Sequence, residues 1–384
     1  MIDLGSAPLD EAGIERSVRP LFSRALAPDL PIYLANHSLG RPPDRVFDDV
    51  QRALEAWVRD QGEAWDEWLA VRERFRALTA RLAGAPSQDS IVPKTSAAQG
   101  LRAVLNSFDS PIRVVTTDAE FDSIDFVLRV YRDRGRIELA TAPASAEALI
   151  GALGKSTDLV VLSSVLFRTG EIVAGIEDVI RAAHSTGAKV LLDVYHHAGV
   201  LPLDLAALGA DFAIGGSYKY TRGGPGACWL YVHPRWHDLR TLDTGWFAKE
   251  NPFSYERPDP PRFAGGGDAW LESTPPVLAP VQALAGLEFT LAVGVERLRA
   301  WHVPQKQRFA ALLAERGIRA DGAGAGFGAF LSVRHAEATR LARELAARGV
   351  KADARADRLR LCADLLNHDE ELARAAEALA SILS

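Results

Sequence analysis

Lys219 stands between two tyrosines in SYKYTRGGPG (217–226), two glycines after the apolar run ADFAI. Asp193 sits inside a second apolar run, KVLLDVYHH (189–197). A long cation and a short carboxylate at the ends of buried strands are costly unless the site uses them. Other polar residues stand at the ends of other apolar runs: Thr95 and Ser96 after SIVPK, Glu120 and Phe121 after RVVTT, and Ser163 within DLVVLSSV. In an open parallel sheet the carboxyl ends of the strands form one rim, and ligands bind there. A lysine, a carboxylate, an aromatic ring, hydroxyls and a helix N-terminus on one rim are the set that pyridoxal phosphate (PLP) requires. The lysine bonds the cofactor aldehyde, and the carboxylate keeps the pyridine nitrogen protonated so that the ring accepts electrons. The aromatic stacks on the ring, and the helix N-terminus with its hydroxyls holds the phosphate. Each residue alone is ordinary, since Thr-Ser before an apolar helix is most often a cap. Their shared placement is what points to a site, with Lys219, Asp193 and Tyr218 as its catalytic candidates.

The elements that position these residues follow from the apolar pattern. Short runs at 113–117, 136–140, 158–165, 189–195, 212–218 and 227–232 alternate with helical segments at 123–134, 145–153 and 176–186. Such alternation predicts a mostly parallel sheet covered on both faces. Two helices are expected between 44 and 83, where apolar residues recur at three and four until Gly84 and Pro86 stop the run. Residues 233–280 are rich in Pro and Gly. Beyond them the pattern predicts a long helix over 281–300, a helix over 305–316, strands at 328–334 and 358–363, and helices at 336–348 and 369–383. The fold class is therefore α/β, a large domain with a seven-stranded type of sheet and a smaller C-terminal α/β domain. The expected division is 1–45 as an N-terminal segment packing with the small domain or a partner, 46–280 as the cofactor domain and 281–384 as the small domain.

Composition narrows the function classes. The chain has 384 residues, 48% hydrophobic and 24% charged, with a net charge of -6. That balance gives no reason to expect nucleic acid or an anionic membrane as partner. Two cysteines, Cys228 and Cys362, exclude a disulfide framework and leave no cysteine-based metal site. The N-terminus MIDLGSAPLDEAG has no apolar stretch of signal-peptide type, and no run is long enough to span a membrane. The expected location is the cytoplasm. Neither Gly265-Gly-Gly267 nor the GGPG turn has the spacing of a dinucleotide or P-loop motif.

The quoted segments carry a family resemblance. Asp193-Val-Tyr-His196 with Ser217-Tyr-Lys219 resembles the aspartate and Schiff-base lysine motifs of fold-type I, class V aminotransferase-like PLP enzymes. Within these, YLANHSLG (33–40), SYKYTRGGPG, GWF (245–247) and STPPVL (273–278) resemble kynureninases. The resemblance implies hydrolytic Cβ–Cγ cleavage of L-kynurenine or 3-hydroxykynurenine to an anthranilate and L-alanine, a step of tryptophan catabolism. It implies Lys219 as the Schiff base and proton shuttle, Asp193 on the pyridinium with His196 beside it, and Phe121 on the ring. Thr95, Ser96 and Tyr218 would contact the phosphate and Ser163 the ring. Trp246 and Thr274 would complete the phosphate site across a homodimer. Arg360, in LRLC (359–362), would hold the substrate carboxylate, with Arg358 as rival, and His37 and Ser38 would contact substrate. The chain departs from the family at Asp122-Ser-Ile124, where relatives carry Pro-Thr-Asp, and at Leu166, Lys249 and Asn36-His37. Transamination, or lysis of another amino acid, would use the same lysine and carboxylate. Cysteine desulfurase is disfavoured, because the glycine-rich loop 321–328 (DGAGAGFG) lacks the sulfur-accepting cysteine. A non-catalytic regulator on the same fold is disfavoured by the presence of both Lys219 and Asp193.

Overall fold

The computed structural model describes residues 5, 7–109 and 111–383. Residues 1–4, on which the expectation of no signal peptide partly rests, lie outside them. The first strand, β1 (Ile32–Tyr33), precedes a seven-stranded sheet formed by β2 (Ile91–Lys94), β3 (Ile112–Thr117), β4 (Ile137–Ala142), β5 (Leu159–Ser163), β6 (Lys189–Asp193), β7 (Phe212–Gly216) and β8 (Cys228–Val232). The strand order is β2-β8-β7-β6-β5-β3-β4. Only β8 runs against its neighbours, pairing antiparallel with both β2 and β7. Strands β5 to β8 are buried at nearly every position, which is why they read as continuous apolar runs. Two apolar clusters fill the opposite faces: Val160, Leu162, Val190 and Leu192 on one, Val161, Leu191, Ile214 and Leu230 on the other.

Register brings the rim together. Ser163 pairs with Asp193, Asp193 with Ile214, and Gly216 with Cys228, which also pairs with Lys94. The ends of five strands therefore fall side by side. The helix Ala97–Leu105 follows β2 immediately, with Ser96 as its cap. Gly100 allows this helix to lie close on β7, since a Cβ there would come within 2.7 Å of the Ile214 side chain.

A smaller three-stranded sheet is built from β9 (Leu331–Arg334), β11 (Asp353–Arg355) and β12 (Arg358–Leu361), in the order β11-β12-β9. The short strand β10 (Val350–Lys351) pairs instead with β1, so the N-terminal segment is stitched to this unit. Ile14, Val18 and Phe22 pack with Phe289, Leu298 and Leu366.

The C-terminal helices differ from expectation in one respect. The predicted helix over 281–300 breaks: one helix spans Leu278–Val293, and a second, Val295–Ala314, absorbs most of the segment expected at 305–316. Gly294, at φ 88° and ψ 132°, ends the first helix in a conformation that costs only glycine little. Pro304 lies inside the second helix without ending it. Ala283, Leu284 and Leu287 of the first helix belong to the core of the seven-stranded sheet, while Phe289 and Val293 near its end pack with Leu298, Leu365 and Leu366. Among the described residues no single helix is long and apolar enough to cross a membrane.

Candidate active site

At the carboxyl end of the large sheet lies a cleft of about 190 Å³ lined by Thr95, Ser96, Phe121, Ser163, Asp193, His196, Tyr218 and Lys219. Eight of the residues singled out in the sequence thus meet in one place. Ser123, Phe167, Tyr195 and Cys228 line it as well.

Lys219 follows β7 on a loop held at several points. The Gly40 N–H donates to the Tyr218 carbonyl at 2.8 Å, and the Gly223 N–H donates to the Ser217 carbonyl at 2.6 Å. Gly224 and Gly226 take φ of 68° and 92°, which turns the chain back into β8. The Lys219 ammonium is buried, and its Nζ lies 2.7 Å from His196 Nε2. Burial drives the His196 pKa well below that of an ordinary imidazole, so His196 is neutral. Nε2 then accepts from Nζ, and Nδ1 carries the proton toward the Tyr220 hydroxyl at 2.9 Å. Burial also lowers Lys219 well below an ordinary lysine, against the pull of Asp193. Asp193 is raised by burial, against a hydrogen bond from the Tyr195 N–H to Oδ1 at 2.9 Å. Both groups are thus shifted toward neutrality, the condition in which protons can be exchanged near pH 7.

The Phe121 ring centre is 5.7 Å from Lys219 Nζ, and Phe121 packs edge-to-face on Phe167. The Tyr218 ring lies 5.6 Å from Nζ, and burial raises its phenol pKa. At the helix N-terminus the Ser96 hydroxyl caps Gln99 N–H at 3.1 Å. Gln99 Oε1 accepts from the Thr95 N–H at 2.7 Å and from its hydroxyl at 3.1 Å. A phosphate at this helix end would take those donors from Gln99.

Not every expected residue reaches the cleft. Trp246 and Thr274 are outside it and bond each other, Nε1 to Oγ1, at 3.1 Å. His37 is fully buried, donates Nε2 to Asp353 at 2.8 Å and packs on Phe330, while Ser38 lies in a turn. Neither lines the cleft. Arg360 is buried, and its guanidinium is engaged by Asp353 and the Phe167 carbonyl. Its rival Arg358 bonds Asp321 at 2.9 Å. Asp125, one position later than the acid of the family segment, pairs with Arg129 on its own helix.

The sequence placed Glu120 on the rim but gave it no role. Its carboxylate accepts from Thr117 Oγ1 at 2.6 Å and from Ser163 N and Oγ at 3.0 and 2.6 Å. Burial lifts its pKa to about 7 despite those bonds. The signal was its place just after a strand end, beside Phe121.

The residues present fit PLP. A buried carboxylate, an amine of lowered basicity, an aromatic face and a capped helix N-terminus line one cleft of the right polarity. Fold and site define a PLP-dependent enzyme of fold type I. The comparisons agree, and the chain belongs to the class-V aminotransferase family, whose model matches residues 32–320. Its cofactor is pyridoxal 5'-phosphate. The chain is 33% identical to a kynureninase of Salinispora tropica over 70% of its own length and 68% of that protein's. It is 27% identical to a kynureninase of Bacillus thuringiensis over 85% and 81% of the two chains. In fold it resembles a C-DES mutant with glycine linked to its PLP cofactor, at a TM-score of 0.85, with 20% identity over 94% and 98% of the two chains. It resembles the cysteine desulfurase CsdA of Escherichia coli at 0.83, with 18% identity over 98% and 99%. At these identities the two structures speak for the fold alone.

Proposed function

We propose that this protein hydrolyses the Cβ–Cγ bond of L-kynurenine or 3-hydroxykynurenine, giving an anthranilate and L-alanine. The supporting observation is a lysine of lowered basicity, facing a buried carboxylate, in a cleft walled by Phe121, Phe167, Tyr195 and Tyr218 in a chain whose relatives are kynureninases. An aromatic wall suits an aryl ketone, which offers a flat apolar ring and one carbonyl.

When bound, PLP supplies the electron sink that lets a proton leave substrate Cα. Asp193 carries the charge that keeps the ring nitrogen protonated. Lys219 Nζ takes up the Cα proton, oriented by neutral His196 at 2.7 Å. Phe121 supports the ring face, and Ser163 its edge. Thr95, Ser96 and Tyr218 receive the phosphate, completed by Trp246 and Thr274 of the partner subunit in a cytoplasmic homodimer. Water adds to the γ-carbonyl and the Cβ–Cγ bond breaks, leaving the added oxygen in the anthranilate carboxyl group; Cβ takes a proton from Tyr218, and Lys219 returns its proton to Cα to give L-alanine. Arg360 receives the substrate α-carboxylate.

Incubation with L-kynurenine and 3-hydroxykynurenine, followed by anthranilate fluorescence, tests the proposal. Product from either substrate supports it. A 2-oxo acid without an anthranilate would instead indicate an aminotransferase.

A further inference from the structure

Arg360 was expected to offer its guanidinium to a substrate carboxylate, yet a carboxylate of the chain itself already holds it. Asp353 and Arg360 are direct cross-strand partners in the antiparallel pair β11–β12. Arg360 Nε donates to Asp353 Oδ1 at 2.8 Å, and Nη2 donates to Oδ2 at 2.6 Å. The third terminal contact runs from Nη1 to the Phe167 carbonyl at 2.5 Å. Asp353 is itself fixed, because Oδ1 also accepts from His37 Nε2 at 2.8 Å. His37 is neutral, its pKa lowered to about 4 by burial, and is packed on Phe330. The Arg360 guanidinium also lies over Phe330, 5.4 Å from the ring centre.

A guanidinium has five N–H donors in a rigid plane. Asp353 and Phe167 take three, one each on Nε, Nη1 and Nη2. One donor on each terminal nitrogen is left for a further acceptor. Contacts with two separate groups therefore fix the plane of a side chain that is otherwise free to change rotamer. A clamp set in advance loses less on binding.

We infer that Asp353, steadied by His37, is a positioning residue that holds Arg360 so that its remaining donors receive the carboxylate of an amino-acid substrate. The inference rests on the reading of Arg360 as the carboxylate clamp. It gives His37 a place behind the arginine rather than against the substrate. It also runs against simple charge: Asp353 repels an incoming carboxylate, so removing its charge should tighten binding if positioning contributed nothing.

The test uses PLP-loaded enzyme titrated with L-alanine and with L-alaninamide, which lacks the carboxylate, and reads the change in visible absorption. Wild type should prefer L-alanine. In Asp353→Asn, which keeps the shape, the preference should fall about tenfold while the amide affinity and the spectrum before titration stay the same. Asp353→Glu, which keeps the charge but moves it by one methylene, should show the same loss and serves if the first variant does not fold. An unchanged or stronger preference for L-alanine in a folded variant overturns the inference, as does a wild type without preference. None of these outcomes needs kynurenine to be cleaved, so the inference stands or falls apart from the proposed reaction.

Discussion

The loop carrying Lys219 is gripped between two glycines, and adding one carbon to either should displace it. A Cβ on Gly40 would sit 1.9 Å from the Lys219 carbonyl oxygen and 3.2 Å from the Arg222 Cα. A Cβ on Gly286, within the helix Leu278–Val293, would sit 2.0 Å from the Thr221 carbonyl oxygen. Both obstacles are backbone, which cannot turn aside as a side chain can. Real contacts of this kind begin near 3.0 Å, so the loop must retreat by about 1 Å. Overpacking of this sort costs typically ~1–3 kcal/mol of stability. A reacting group misplaced by ~1 Å can lose on the order of a hundredfold in rate. Gly40→Ala and Gly286→Ala should therefore lower kcat far more than their loss of stability would suggest. They should also shift the visible absorption of the lysine-bound cofactor. Gly62→Ala, where an added Cβ meets nothing within 4 Å, serves as control. Kinetics, absorption and thermal unfolding measured on the three variants decide the matter. If Gly40→Ala and Gly286→Ala match the control in spectrum and kcat, the loop is not held as described.

Other perturbations have equally definite outcomes. Lys219→Ala should remove the borohydride-sensitive visible absorption and abolish turnover. In wild type freed of cofactor, PLP uptake requires the neutral amine, so its rate should rise with pH and level off well short of the 10.5 of an ordinary lysine. Glu120 has a folded-state pKa near 7, above its ordinary 4.5, so its contribution to stability is full below 4.5 and is lost as pH rises toward 7. Glu120→Gln should therefore gain relative to wild type across that window, by up to roughly 3 kcal/mol, in denaturant titrations at pH 4.5 and 8. Asp364 is buried between Arg41 and Arg222, which hold its pKa low against burial. Asp364→Asn leaves two buried guanidinium groups without their countercharge and should cost about 3–5 kcal/mol by equilibrium unfolding.

The rim of the large sheet was legible because parallel strands announce themselves as apolar runs and their carboxyl ends must lie together. Lys219, Asp193, Ser163 and Phe121 were found by that rule alone. The C-terminal unit was less legible. Nothing in LRLC (359–362) shows that Asp353 faces Arg360; the pairing depends on an antiparallel register set by a two-residue turn. The break at Gly294 was hidden because apolar residues continue on both sides of it, and a lone glycine is tolerated inside many helices. Trp246 and Thr274 read as phosphate residues only by resemblance. Within one chain they bond each other, outside the cleft. The same limit applies to the departures Leu166 and Lys249: Leu166 is buried, and Lys249 donates to the Glu256 carbonyl. Neither lines the cleft.

The most direct test of the proposed reaction follows the oxygen atom. L-Kynurenine is incubated with the PLP-loaded enzyme in water enriched in oxygen-18, and the products are analysed by mass spectrometry. Hydrolysis predicts equal amounts of L-alanine and anthranilate, with one heavy oxygen in the anthranilate carboxyl group. Intact aryl ketone in a 2-oxo acid, with no alanine and no labelled anthranilate, would contradict it.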